Sequence, residues 1–189
     1  MSRALSAQTL SEEDRRLLAG WAATCAEHVL PLFGAEAPDD DRPRDAIARA
    51  RAFSRGELDA AGEIRRRFVA GRAARAVSSV GAVSAARAAA QAAGVAHMGA
   101  HALGAAAYAA RAAGAAGAAG AAGAAAAEER AGAVAAELAW QCDRMSAEIA
   151  AALRRLPPVG KDGAGPLGQG LLASGELGSI IRELQAALG

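Results

Sequence analysis

AVSAARAAAQAAGVAHMGAHALGAAAYAAR, residues 82–111, is the stretch on which the reading of the fold turns. Ala dominates it, and Ala is both the strongest helix former and the smallest side chain with a Cβ. Against that background Arg87, His97, His101, Tyr108 and Arg111 stand out. Steps of four and three lead from His97 through His101 and Gly104 to Tyr108 and Arg111, a spacing that lines residues along one side of a helix. Apart from Val95, Met98 and Leu103 the remaining surface is nearly all Ala, so neighbouring helices can approach closely on most sides. The pattern predicts one central helix over 82–111 with a polar stripe, enclosed by other helices.

Towards the N-terminus, residues 77–84 read as a loop, because β-branched residues, two adjacent serines and Gly81 interrupt the periodicity. A helix beginning about Asp59 places Ile64, Phe68 and Val69 inward and spreads Arg65, Arg66, Arg67, Arg72 and Arg75 around its other sides. An earlier helix has Asp41 as N-cap, Pro43 in its first turn and Ile47, Ala50 or Arg51, and Phe53 inward, and it stops near Gly56. The first helix opens at Thr9 and Ser11 with Glu12, Glu13 and Asp14 in its first turn, Thr9 and Glu12 standing at capping-box spacing. Leu18, Trp21, Cys25, Val29 and Leu32 then recur at three and four, and Pro31 and Gly34 kink or end it.

Towards the C-terminus, glycines 114, 117, 120 and 123 alternate with Ala pairs. Without proline this run is no collagen. On a helix, steps of three would spread the glycines over half the circumference, so residues 114–124 read as a linker or frayed end, each Gly costing roughly 1 kcal/mol against Ala. A long helix over about 125–156 follows, with Val134, Leu138, Cys142, Met145, Ile149, Leu153 and Leu156 on one stripe. Pro157 and Pro158 end it, 157–172 is a Gly/Pro-rich loop, and 178–188 forms a short terminal helix. The expected architecture is all-α: a single helical domain, 1–189, of about five main helices with that loop and the short C-terminal helix.

Composition narrows the functional classes. The 189 residues are 53% hydrophobic with net charge +1, enough to bury a core. The apolar stretch after Val95 is Ala and Gly, too weakly hydrophobic to hold a membrane span, and no secretory signal is visible, which points to a cytoplasmic protein without membrane contact. Cys25 and Cys142 sit at core spacing and read as reduced, buried thiols. The charge is unevenly placed. Residues 64–127 hold seven Arg and no acid, while the segments on either side are net acidic. Such an Arg cluster could meet phosphates, but interleaved aromatics and a recognition-helix pattern are missing, so nucleic acid is disfavoured. The Arg are expected to pair with the acids of 39–45 and 57–63.

His97 and His101 form an HxxxH pair, which on a helix aligns two imidazoles as metal ligands. It lacks the Glu of the zincin motif, and the remaining histidine, His28, would have to supply a third ligand. This is similar to the metal-binding four-helix bundles of the DinB-like superfamily, and gives the alternative reading: a helical-bundle enzyme using Zn or Ni at His28, His97 and His101. The plainer reading has these histidines hydrogen-bonded at a helix interface, with no cofactor. Trp140 lies opposite the apolar stripe of its own helix with Glu137 and Arg144 on its side. An off-stripe Trp is packed under a second helix, the commoner outcome in a chain with few aromatics, or offered to a partner. Gly160-Lys161-Asp162 lacks the upstream glycine of a phosphate loop, and no nucleophilic Ser or Cys context occurs.

Both ends of the chain resemble a known family. Residues 10–22 (LSEEDRRLLAGWA), 25–33 (CAEHVLPLF), 40–47 (DDRPRDAI), 156–160 (LPPVG) and 171–175 (LLASG), with 97–108 between them, are similar to small actinobacterial proteins called type-five-like putative immunity proteins. Some relatives carry the label of an exonuclease subunit. The resemblance implies a monomer that binds and neutralises a cognate protein toxin in the producing cell, without catalysis. The acids Asp39, Asp40 and Asp41, with Trp140, are the expected partner-binding residues, since an acidic face suits a basic toxin.

Overall fold

A computed structural model describes residues 6–66 and 69–189 of the chain. The helices are α1 (Glu12–Gly34), α2 (Arg42–Ser54), α3 (Ala60–Arg66), α4 (Val69–Ala73), α5 (Val80–Gly94), α6 (His101–Gly117), α7 (Gly123–Cys142), α8 (Ala147–Arg154) and α9 (Gly175–Ala187), with a 3-10 turn at Leu171–Ala173 before the last. Among the described residues there is no strand, only an isolated bridge between Asp162 and Gly168. The all-α class is as the periodicity predicts. Phe68 and Arg67, and the side chains of Ile64, Arg65 and Arg66, lie outside the described residues.

The central helix is α6, which packs against α1, α5, α7 and α9. Leu103, Ala105, Ala106, Ala107, Ala109 and Ala110 are all 0% exposed, so burial runs round the whole circumference rather than along one stripe. Methyl-sized side chains let helix axes come to the short end of the usual 8–10 Å range, where many weak dispersion contacts replace a few large ones.

The single helix expected over 82–111 is two helices folded back on each other. Straight, it would extend about 45 Å, too long for a domain with a radius of gyration of about 16 Å. The break occurs where the N-terminal segment supplies alternative acceptors. Gly99 N–H donates to the Thr9 carbonyl at 3.1 Å and Ala100 N–H to the Gln8 carbonyl at 3.0 Å, in place of intrahelical partners. Gly99 makes this possible, because a Cβ there would sit 2.8 Å from Leu10 Cδ1. His97 consequently lies in the connecting turn and not on a helix with His101.

Other boundaries also shift for local reasons. The loop expected at 77–84 is shorter: Ser79 caps α5 by accepting from Ala82 N–H at 3.1 Å. Ser11, not Thr9, caps α1, accepting from Asp14 N–H at 3.0 Å, and α1 continues through Pro31 to Gly34. The helix expected over 125–156 divides at Asp143–Met145, because Ser146 accepts from Ile149 N–H and starts α8 afresh. Leu138, Leu153 and Leu156 stay buried across the break, so the stripe is right although the helix is not continuous.

Of the Gly-Ala-Ala run only the middle, 118–122, connects two helices as expected of a linker. α6 extends to Gly117, and Gly114 and Gly117 face α7: added Cβ atoms would lie 2.6 Å from Val134 Cγ2 and 2.6 Å from Ala133 Cβ. Gly120 and Gly123, at φ 92 and 59, make the turn into α7. Two glycines thus permit close packing and two permit the reversal. Gly114→Val should lower the unfolding free energy by about 1–3 kcal/mol through overpacking. Gly132→Ala, whose added Cβ would meet nothing within 4 Å, should raise it by about 0.5–1 kcal/mol. Urea denaturation of both variants checks the pair, and a Gly114→Val protein as stable as the parent would contradict the close approach of α6 and α7.

Candidate functional site

Where α7 crosses α1, a polar network breaks the apolar core. Gln141, fully buried on α7, donates through Nε2 to the Ala106 carbonyl of α6 at 3.2 Å and to Glu137 Oε1 at 2.9 Å. Its own backbone carbonyl accepts from Trp21 Nε1–H at 3.1 Å. Glu137 is 3% exposed at its side chain, and its second oxygen, Oε2, lies 2.8 Å from His28 Nδ1. A carboxylate only accepts, so His28 donates from Nδ1. The buried charge thus has a donor on each oxygen, which such burial requires. Gln141 Oε1 alone is without a hydrogen bond.

This network fixes the group that reaches the surface. The His28 ring is 42% exposed at its side chain and stacks on Trp140 with centroids 3.7 Å apart and planes 6° from parallel. Arg144, one turn beyond Trp140, lays its guanidinium 3.8 Å from the indole centroid and donates to the Trp140 carbonyl. Trp140 is half-buried, and among the described residues its indole N–H has no acceptor. Trp140 is therefore both held and presented. Its off-stripe position was legible in the sequence. The contribution of His28 was not, since nothing in the chain reveals that residue 28 faces residues 137–140.

Glu27, His28 and Pro31 share the exposed side of α1 by their spacing, and this side leads to the acidic loop. Glu27, Pro31, Ala37 and Asp40 line one shallow hollow there. Asp40 is held below the ordinary carboxylate range by hydrogen bonds from Arg42, and Asp41 pairs with Arg44. Asp39 is exposed and in no ion pair among the described residues. Glu57 pairs with Arg55 and Glu63 with Arg49, and no ion pair among the described residues joins these acids to Arg72 or Arg75 as the charge pattern suggested.

The polar stripe divides. Tyr108 is buried, its hydroxyl pushed up by burial against the opposing charges of Arg87 and Arg111. Arg111 pairs with Glu176 of α9 at 3.2 Å, and Arg130 of α7 lies 3.6 Å from the same carboxylate. His97 and His101 stand 6.4 Å apart at a cleft between α4 and α5. Among the described residues no three His, Cys, Asp or Glu are grouped to hold a metal ion, so His28, His97 and His101 do not form one site. Cys25 and Cys142 are free thiols; burial pushes both up, with the nearby Glu137 charge adding to the effect at Cys25. Neither is a ready nucleophile.

Residues 8–148 match the family model described as Imm-5 like putative immunity protein. The chain belongs to this family. The matched span carries both His28 and Trp140, and the acidic loop between α1 and α2. No curated protein and no solved structure matches this Imm-5 like chain. Among its described residues no helix is long and apolar enough to cross a membrane.

The acidic loop has a further tie. Glu36 accepts from Ser78 N–H at 2.9 Å and from Ser79 N–H, and these bonds hold its carboxyl below the ordinary value of 4.5. A carboxylate with a depressed folded-state value stabilises above its unfolded value, and that contribution is lost as pH falls through the folded value. Glu36→Gln should therefore lower the urea midpoint by more at pH 7 than at about pH 3, because the parent loses the carboxylate's contribution as pH falls toward and through the folded-state value. Equal deficits at both pH values would show that the Glu36 charge has no part in joining the loop to α5.

Proposed function

We propose that this protein binds a cognate protein toxin as a monomer inside the producing cell and neutralises it by occupancy, without catalysis. The observation that carries the reading is Trp140, half-exposed, flanked by His28 and Arg144 and anchored through Glu137 to the core. Trp and Arg are the residues most enriched among those that dominate binding energy. An indole already fixed by its neighbours loses little freedom when a partner closes over it, so more of the gross contact energy remains as affinity. Family membership supplies the class of partner.

The acidic loop has a different role in this reading. Asp39, Asp40 and Asp41 are near the α1 side that carries His28, and with Arg42 and Arg44 already paired to two of them, their field steers a basic toxin more than it clamps one. The two parts separate kinetically. Trp140→Ala should speed dissociation of the complex at least about tenfold with association little changed. Replacing Asp39, Asp40 and Asp41 with Asn should slow association by up to about tenfold at low salt and flatten its salt dependence.

Co-expression with toxins encoded beside the gene identifies the partner, and surface plasmon resonance reads both rates. Growth rescue that survives Trp140→Ala with unaltered dissociation would reject this face as the interface. Failure to rescue or co-purify with any such toxin would reject the toxin-binding reading itself.

A further inference from the structure

A cleft of about 650 Å³ opens where α4 and the turn after it meet α5 and the start of α6. Arg72, Arg75, Arg87, Gln91, His97 and His101 line it, and among the described residues no carboxylate does. Ten ion pairs occur among the described residues, and none involves Arg72, Arg75 or Arg87. Arg42, Arg44, Arg49, Arg51 and Arg55, by contrast, each meet an acid. Three like charges facing one concavity repel one another, and an anion of matching charge relieves that repulsion.

The polar wall of the cleft is built rather than incidental. His101 Nδ1 lies 2.7 Å from Gln91 Oε1, which only accepts, so the proton is on Nδ1 and the ring orientation is set. Two glycines make room for this pair. A Cβ at Gly94 would meet His101 Cγ at 2.9 Å, and one at Gly104 would meet Gln91 Oε1 at 2.5 Å. The histidine that the HxxxH spacing singled out is thus positioned beside three arginines, and among the described residues it joins no group of three metal-ligating side chains.

We infer that this cleft binds a small organic di- or triphosphate, its phosphates held by Arg72, Arg75 and Arg87 with Gln91 and His101 at their side. Guanidinium forks match phosphate oxygens in pairs, and several together select for ligands carrying two or more negative charges. The volume falls in the range of sites for small molecules and exceeds what bare phosphates fill, leaving space against Ala90, Gly71 and Gly94 for an uncharged moiety. Among the described residues no Trp, Tyr or Phe lines the cleft to offer the base-stacking platform that single-stranded nucleic acid uses. The site is separate from Trp140 and does not depend on the toxin-binding reading.

Isothermal titration of the purified chain with pyrophosphate, ADP and citrate at about 50 mM salt tests this, since charges at that ionic strength are only partly screened. Pyrophosphate and ADP should bind, citrate at least tenfold more weakly, and the double variant Arg72→Gln, Arg87→Gln should weaken pyrophosphate at least tenfold. Arg154→Gln, an exposed change on α8 outside the cleft, should leave binding unchanged, and circular dichroism of each variant verifies folding. If the double variant misfolds, Arg87→Gln alone should weaken pyrophosphate at least threefold. Citrate binding as tightly as pyrophosphate, affinity indifferent to the cleft variants, or no heat from either phosphate at millimolar concentration would each overturn the inference.

Discussion

Close packing of Ala and Gly around α6 is the constraint from which the rest of the structure follows. A helix buried on every side must have side chains small enough for four neighbours to reach it, and Ala102 through Ala110 meet that condition with only Leu103 and Tyr108 of any size. The cost is tolerance. Where a helix pair is this close, a single methyl decides the spacing, which is why Gly104, Gly114 and Gly117 occur where an added Cβ would fall within 2.6 Å of a neighbour.

An Ala core also buries little apolar surface per residue, and directional interactions supplement it at the seams. Gln8 is the clearest case. Its side chain donates to Asp162 at 2.7 Å and to the Ala164 carbonyl at 2.8 Å and accepts from Leu167 N–H at 2.9 Å, while its backbone carbonyl receives Ala100 N–H. One residue near the start of the chain thus secures the α5–α6 turn and the Gly/Pro-rich loop together. The Trp21–Gln141–Glu137–His28 network joins α1 to α7 in the same way and ends at the surface in Trp140. The Trp140 surface is therefore an outgrowth of the packing, held in place by the network beneath it.

The sequence conveyed helix content and core stripes, because those depend on neighbours three and four positions away. Leu138, Leu153 and Leu156 on one stripe, and the start of α2 just after Asp41, are of this kind. It misled where a distant segment competes with local propensity. An unbroken Ala-rich run over 82–111 gives no hint that the Gln8 and Thr9 carbonyls will take two of its amides, and so His97 and His101 read as one helical pair. The same limit applies to the sites. Trp140 stands out from its own helix, but its contact with His28 spans over a hundred positions, and only the fold reveals that Glu57 and Glu63 pair elsewhere while Arg72, Arg75 and Arg87 enter no ion pair among the described residues.

The molecule then has two polar features on separate surfaces: an aromatic and cationic cluster over a buried carboxylate, and an arginine-lined cleft. The central claim is that a protein partner covers the first. Hydrogen exchange of the protein alone and in complex with its toxin addresses this most directly, because it reports on backbone amides along the whole chain without altering any of them. The account predicts added protection in 27–41 and 137–145, with 71–75 and 97–101 unchanged. Protection confined to the cleft segments, with the Trp140 region exchanging as in the free protein, would contradict it.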